Sequence, residues 1–295
     1  MIWQHVSEAA ESGGKNTSHK KTLLAACAAL VISAALAGSQ AGAQVAPVDQ
    51  RAVSGENEAN GLPVSFTDAR GHQVFQCLGD AELCGIEDPA APVEEVVYWS
   101  AERANISVGR ADAQGRTGEA RIVMAVEGAL DADAGGAPIT GGVISIRADG
   151  LRPNTIYKVS HPYGNFNVRT QADGSFPRNA KTLVEHGCDI EAGESCDFGQ
   201  TLRSPLFNNF LRPTNVFWST AEHLGNAEGT PTRVTGSLVR NSAGKPQNYF
   251  RIEGPQAGGA GKSVKKVVMF SVTGQLTQDT ETDPAPVEEE EAPAE

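Results

Sequence analysis

A two-residue alternation of apolar and polar side chains runs through most of the chain from residue 121 onward. Ile122, Met124 and Val126 fall on one face, and Tyr157 and Val159 alternate with polar neighbours in the same way. Because successive side chains of a β-strand point to opposite faces, this period predicts strands with one buried and one solvated side. Such strands pair most readily as antiparallel sheets.

Turn signals separate these segments. Asp149-Gly150 and Asp173-Gly174 are typical of tight turns, and further short alternating runs follow between residues 233 and 272. Ser204-Pro205 has the composition of a short helix start, with Ser as the cap and Pro in the first turn. The pattern predicts an all-β chain: an antiparallel Ig-like or fibronectin-like sandwich with extra strands and one or two short helices.

Two stretches before residue 121 carry weaker patterns. Residues 62–68 and 72–77 read as a hairpin around a glycine turn. After the prolines at 89 and 92, apolar residues at 93, 96, 97, 101 and 104 recur at helical spacing, with acids at the start and a base near the end. A helix is therefore expected there, and a strand through Tyr98 and Trp99 is nearly as well supported.

The N-terminal segment has the order of a secretory signal peptide. Two lysines precede fifteen residues, Leu23 to Ala37, in which Ser33 is the one polar member, and Ala41-Gly42-Ala43 follows. A charged region, an apolar region and an A-x-A site predict cleavage after Ala43 and a secreted or periplasmic protein. The apolar run is shorter than the about 20 residues of a membrane span, so we expect no stable membrane insertion after cleavage.

Charge and composition indicate which partners the chain can bind and how it divides into segments. The chain carries a net charge of −12, and its last seventeen residues, Asp279 to Glu295, hold eight acids and no base. This balance argues against nucleic acid as a partner, because phosphate binding needs clustered Lys and Arg. The small cluster Lys262, Lys265 and Lys266 is better explained as protection of an edge strand. The expected organisation is a leader (1–43), a hairpin with a stapled loop (44–92), a β-sandwich domain (93–276) and an acidic disordered tail (277–295).

Four cysteines follow the predicted cleavage site, and their spacing suggests two short disulfide loops. Cys77 and Cys84 are seven residues apart, and Cys188 and Cys196 are eight apart. Four cysteines allow three pairings, and the two local ones close with the smallest entropy loss. Zinc is the competing interpretation, but it usually requires closer cysteine pairs or interleaved histidines. We therefore expect disulfides and no metal.

One corner of the sequence carries a family resemblance. The segment from Leu151 to Val159 has the pattern L-x-P-x-T-x-Y-x-V, which resembles the E–F corner of fibronectin type III domains. The resemblance covers about thirty residues and implies that Tyr157 bonds back to upstream backbone while Leu151 fills the core. Asn154 stands where the family usually has Gly. The segments 149–164 and 250–255 are also similar to those of uncharacterised secreted bacterial proteins, which implies a compartment and fold type.

The turn His161-Pro162-Tyr163-Gly164 follows a strand end, where ligand-contacting loops often lie. A binding loop would use His161, Tyr163, Asn165 and Asn167, and the alternative is a tight turn with a structural His and Tyr. Trp99 and Trp218 could likewise form a sugar-stacking platform or occupy the core.

No sequence motif indicates catalysis or a cofactor. The chain has no G-x-S-x-G elbow, and none of its many carboxylates forms a distinctive pair. We therefore expect no cofactor and a non-catalytic binding or structural module of the cell envelope or extracellular space. Envelope polysaccharide or another envelope protein would be its partner. The alternative is an exported ester or glycoside hydrolase with a site built from distant loops, using His161 or His186 as base.

Overall fold

The computed structural model describes residues 49–77, 95–131, 135–188, 190, 194–214, 222–224 and 230–278. Fifteen antiparallel strands make up most of the regular structure of these residues. The predicted signal peptide, Cys84, Trp218 and the acidic segment 279–295 lie outside these residues. The mainly all-β prediction is confirmed.

The larger sheet contains eleven of these strands. Its members are β1 (Ala52–Val53), β2 (Ser65–Thr67), β3 (His72–Phe75), β4 (Glu95–Val108), β5 (Gly118–Asp131), β6 (Ala137–Ala148), β9 (Leu183–Gly187), β10 (Arg212–Pro213), β11 (Glu222–Leu224), β12 (Thr232–Thr235) and β15 (Met269–Gln278). The order along its main path is β1-β2-β3-β15-β4-β5-β6-β9. The predicted hairpin is confirmed as β2 and β3, and β3 pairs with β15.

The smaller sheet has four strands, in the order β14-β13-β7-β8. Its members are β7 (Ile156–His161), β8 (Gly164–Arg169), β13 (Phe250–Glu253) and β14 (Val264–Val267). Lys265 and Lys266 lie on β14 at one edge of this sheet, which confirms the expected edge strand for these two lysines, and Lys262 lies in the turn before it. Long charged side chains on such an edge discourage pairing with another chain.

One cluster of buried side chains joins the two sheets. Ile122 and Ile146 of the larger sheet belong to the same core as Tyr157, Val159 and Ile252 of the smaller one. Burial of this shared apolar surface is the main term that stabilises a two-layer β-fold. The arrangement supports the coarser prediction of a sandwich-like fold.

The chain is a strand from Glu95 to Val108, so the expectation of a helix there was wrong. Strand β4 pairs with β5 over its whole length, with register shifts between Val97 and Trp99 and between Arg103 and Ile106. A β-bulge adds one residue to one strand and interrupts the two-residue period. The bulges therefore place apolar residues at spacings that resemble a helix. Trp99 is fully buried, so it lies in the core and offers no stacking surface.

Two short 3₁₀ helices, Phe198–Arg203 and Pro205–Asn208, lie between β9 and β10. The predicted helix start at Ser204-Pro205 is confirmed, although the Ser204 side chain makes no capping hydrogen bond. The first helix follows the predicted disulfide between Cys188 and Cys196, whose Cα atoms lie 5.4 Å apart. This bridge ties the end of β9 to the start of the helical segment. Cys77 is buried, and its pairing with Cys84 stays a prediction.

The chain crosses from the larger to the smaller sheet at the corner between β6 and β7. The Tyr157 hydroxyl accepts a hydrogen bond from the Arg152 amide at 3.0 Å and donates one to the Pro255 carbonyl at 2.8 Å. Leu151 is buried, and Asn154 adopts a φ of 53°. Asn tolerates this left-handed conformation better than most residues. The expected bond from the tyrosine hydroxyl to upstream backbone is thus present.

Replacing Tyr157 with phenylalanine is expected to lower the free energy of unfolding by about 1–3 kcal/mol, because one backbone donor and one backbone acceptor lose their partner. Urea unfolding followed by fluorescence measures the change. Tyr249→Phe is the matched control, since that hydroxyl makes one hydrogen bond, to the Gln247 side chain, where the Tyr157 hydroxyl makes two to backbone; a smaller loss is expected. An equal loss in both variants would contradict the role given to this corner.

Backbone contact between β5 and the same corner leaves no room for a side chain at residue 118. A Cβ atom on Gly118 would lie 2.2 Å from the Asp149 carbonyl oxygen and 2.6 Å from the Gly150 Cα. Gly118→Ala must therefore displace backbone, and we expect it to cost about 1–3 kcal/mol of stability. Gly55→Ala is the control, because nothing lies within 4 Å of its added Cβ. The thermal unfolding temperature measures the change. An equal fall of that temperature in both variants would contradict this packing.

Candidate functional site

A groove of about 560 Å³ opens where β5, β6 and the segment before β9 meet. Its volume is in the range typical of small-molecule and saccharide-sized sites. Most of its polar lining comes from the two long strands and the residue that follows β6: Glu119, Arg121, Ser145, Arg147 and Asp149, with Arg178 on the segment before β9. The groove is thus built mainly on rigid strands.

Strand register brings two of the arginines together. Arg121 of β5 lies directly opposite Arg147 of β6, and Ser145 is two residues further along the same face of β6. Side chains opposite one another in an antiparallel pair have Cβ atoms about 4.5–5.5 Å apart, and like charges in that position destabilise the pair. An ion pair between Arg121 and Glu102, at 2.8 Å, offsets the repulsion between the two arginines. Both members of the ion pair are partly exposed.

The segment from Phe176 to Thr182 forms one wall of the groove. Its two ends bond to β6, from the Phe176 amide to the Ala148 carbonyl at 2.8 Å and from the Ile146 amide to the Thr182 carbonyl at 2.7 Å. Between them, the Thr182 hydroxyl donates to the Pro177 carbonyl at 2.6 Å. These bonds fix the backbone that carries Arg178, and a fixed backbone is what a preorganised binding site requires.

Two arginines of the groove, Arg147 and Arg178, are exposed. In the part of the chain that the structure describes, neither of them makes an ion pair or a side-chain hydrogen bond. The Glu119 carboxylate is also exposed, while Asp149 Oδ1 accepts a hydrogen bond from the Glu119 amide at 2.8 Å. The groove therefore offers both guanidinium donors and carboxylate acceptors to a ligand.

His161 and Tyr163, two of the residues proposed from sequence, point into the protein. His161 is buried beside the Phe166 ring, with ring centroids 6.0 Å apart. Loss of hydration on burial lowers the pKa of His161 to about 4. The Tyr163 hydroxyl donates to the Asn209 carbonyl at 3.1 Å, and burial, with a smaller effect of the Asp68 carboxylate, raises the pKa of Tyr163 well above its ordinary value.

Asn165 and Asn167, the other two, are exposed on β8 at the edge of the smaller sheet. Alternation along β8 places them on the face opposite Phe166 and Val168. The Asn167 carbonyl accepts a hydrogen bond from the Lys181 ammonium at 3.4 Å. The four predicted residues therefore divide between an inward pair and an outward pair, and ligand binding by them stays a prediction.

The histidine proposed as an alternative catalytic base, His186, lies half-buried on β9 opposite Gly142. Among the described residues, no group of three or more His, Cys, Asp and Glu side chains is placed to hold a metal ion. Within the same residues, no helix has both the length and the hydropathy needed to cross a bilayer.

A buried polar cluster made of Asp68, His72 and Arg212 was not predicted from the sequence. His72 Nδ1 donates to Asp68 Oδ2 at 3.0 Å, and its Nε2 faces the Arg212 guanidinium. Asp68 also accepts the Phe210 amide at 2.8 Å. The cluster links the turn before β3 to the start of β10. Charged residues scattered over about 140 positions give no local signal of such a contact.

No protein-family model, curated protein or solved structure matches this chain. The groove and the buried polar cluster therefore have to be interpreted from their own chemistry.

Proposed function

We propose that this chain is an exported, non-catalytic binding module of the cell envelope or extracellular space, and that the groove between β5, β6 and residues 175–183 is its ligand site. The observation that carries the proposal is the pair Arg147 and Arg178, which lie on fixed backbone and make no ion pair with any described residue. Strand register and hydrogen bonds hold the backbone that carries these two side chains, which favours selective binding.

Export rests on the sequence and on one feature of the fold. The lysine pair, apolar run and A-x-A site predict a signal peptide, and a disulfide between Cys188 and Cys196 suits an oxidising compartment. The corner at Tyr157 supports a fibronectin type III-like arrangement of the neighbouring strands. N-terminal sequencing of protein recovered after expression with its own leader is expected to find Gln44 as the first residue. A chain that keeps its leader and remains inside the cell would contradict export.

Co-sedimentation with isolated envelope fragments and insoluble polysaccharides tests the binding function. The wild-type protein is expected to pellet with at least one material at low salt, and the double variant Arg147→Gln/Arg178→Gln to remain in the supernatant. The control double variant Arg203→Gln/Arg240→Gln removes the same charge from exposed positions outside the groove. Wild-type protein that pellets with nothing at any ionic strength would contradict the proposal, and ester or glycoside turnover would favour the hydrolase alternative.

A further inference from the structure

We infer that the groove recognises an acidic saccharide, with Arg147 and Arg178 binding a sugar carboxylate and Glu119 accepting hydrogen bonds from sugar hydroxyls. This inference rests on the proposed binding function and names its ligand class. It follows from three features of the groove: two guanidinium groups that make no ion pair with a described residue, its carboxylate acceptors and its mostly buried apolar lining.

The first feature, the two guanidinium groups, favours an anionic ligand. The chain as a whole carries a net charge of −12, yet the groove presents Arg147 opposite Arg121 with Arg178 nearby in the lining. The ion pair with Glu102 relieves Arg121 and leaves the other two guanidinium groups for a ligand. Guanidinium groups bind carboxylates through paired, charge-assisted hydrogen bonds, which also fix the orientation of the acid.

The second feature, the carboxylate acceptors, favours a ligand that also carries hydrogen-bond donors. Glu119 and Asp149 line the groove together with the arginines, so a densely charged polyanion would meet repulsion there. A sugar acid carries both kinds of group, since its carboxylate suits the arginines and its hydroxyls can donate to Glu119. The Ser145 hydroxyl adds a group that can donate or accept.

The third feature argues against an acidic peptide. Four of the six apolar lining residues are buried, and the other two are half-buried: the buried ones are Ala120, Ile146, Ala148 and Phe176, and the half-buried ones are Pro177 and Leu183. Peptide recognition usually depends on apolar side chains that fill open apolar pockets. A hydrophilic ligand with one charged group fits this lining better.

Stability of the ligand-free protein gives a readout that does not depend on a ligand. Arg147→Thr removes a like charge directly opposite Arg121, so thermal unfolding of the unliganded variant is expected to be unchanged or shifted slightly upward. Arg240→Thr removes a charge whose Nη1 donates to the Gly244 carbonyl at 2.7 Å and is expected to give no such gain. A clear loss of stability in Arg147→Thr would show that this arginine serves the fold, which would overturn its assignment to a ligand.

Isothermal titration with three saccharides and one anion tests the ligand class. The probes are a trimer of galacturonic acid, its methyl ester, a neutral hexose trimer and inorganic phosphate. We expect the acid to bind, its ester to bind roughly 10- to 100-fold more weakly, and Arg147→Gln or Arg178→Gln to cause a similar loss. Arg240→Gln is expected to leave binding unchanged.

The outcomes separate the two proposals. Equal binding of the acid and its ester, or binding of the acid that both groove variants retain, would overturn the acidic-saccharide inference and leave a binding module in place. Phosphate binding as tight as that of the sugar acid would also overturn it, because it would show a simple anion site. Failure of every probe, together with failure to pellet with any envelope material, would overturn the binding function itself.

Discussion

Replacing Asp68 with alanine is expected to lower the free energy of unfolding by about 3–5 kcal/mol, a large part of the 5–15 kcal/mol typical of a whole domain. Asp68 is fully buried and accepts hydrogen bonds from the amides of Arg70, His72 and Phe210 at 2.7, 3.0 and 2.8 Å. Its carboxylate also faces the His72 ring. Alanine leaves buried donors without an acceptor, and unpaired buried donors are more costly than absent ones.

The position of Asp68, not the residue type, determines this cost. Asp112 also accepts three hydrogen bonds, from the Gln114 amide and from the Arg116 amide and side chain, but it lies in an exposed turn. Asp112→Ala is therefore the matched control, and we expect only a small change because water replaces the lost acceptor. Chemical denaturation at pH 7 measures both variants. Equal losses, or a stable Asp68→Ala protein, would contradict the structural role of the cluster.

Acidification is expected to destabilise the fold by about 3 kcal/mol through His161 alone. Burial lowers its pKa from the ordinary 6.5 to about 4, so the unfolded chain takes up a proton at a higher pH than the folded chain does. The contribution of neutral His161 is therefore fully present above pH 6.5 and is lost as the pH falls toward 4. The magnitude follows from about 1.4 kcal/mol for each pH unit between the two values.

His161→Gln isolates this effect from the titration of the many carboxylates. The difference in unfolding free energy between wild type and variant is expected to shrink or reverse when the pH is lowered from 7.5 to 4.5, because glutamine does not titrate. His186→Gln, at a half-buried position on β9, serves as the control for removing a histidine. A wild-type-to-variant difference that stays constant across this range would show that His161 does not govern the acid sensitivity.

Local patterns predicted the parts of the fold that depend on neighbours in sequence. The corner was predictable because Leu151, Asn154 and Tyr157 lie within seven residues, and each has a distinct conformational or packing role. The hairpin of β2 and β3 was predictable because its turn contains Gly71, which adopts a φ of 83°. Both features were found where the sequence placed them.

The two-residue period did not predict the structure at two places: the bulges of β4 and the part of β5 that is buried on both faces. The two register shifts in β4 produced apolar spacings that favoured a helix. In β5, residues 124–129 are all buried, including Glu127 and Ala125 on the face expected to be solvated. The alternation of Met124 and Val126 with Ala125 and Glu127 is typical of a strand with one solvated face, so burial of both faces there could not be predicted.

The groove could be predicted only in part. Arg147 alternates with Ile144 and Ile146 in the sequence, which is typical of the polar face of a strand, and it is exposed. Its position opposite Arg121 depends on hairpin register, and the approach of Arg178 depends on a segment about thirty residues further along the chain. Contacts between elements are set by tertiary packing, which one sequence does not display.

Amide chemical-shift mapping distinguishes the groove from the loop that the sequence suggested. Isotope-labelled protein, purified after expression with its own leader, would be titrated with the trimer of galacturonic acid. We predict that the largest shifts fall on Ser145, Arg147 and the residues around Arg178, and that they disappear in Arg147→Gln/Arg178→Gln. Shifts centred on Asn165 and Asn167, with the groove unaffected, would contradict the assignment of the ligand site.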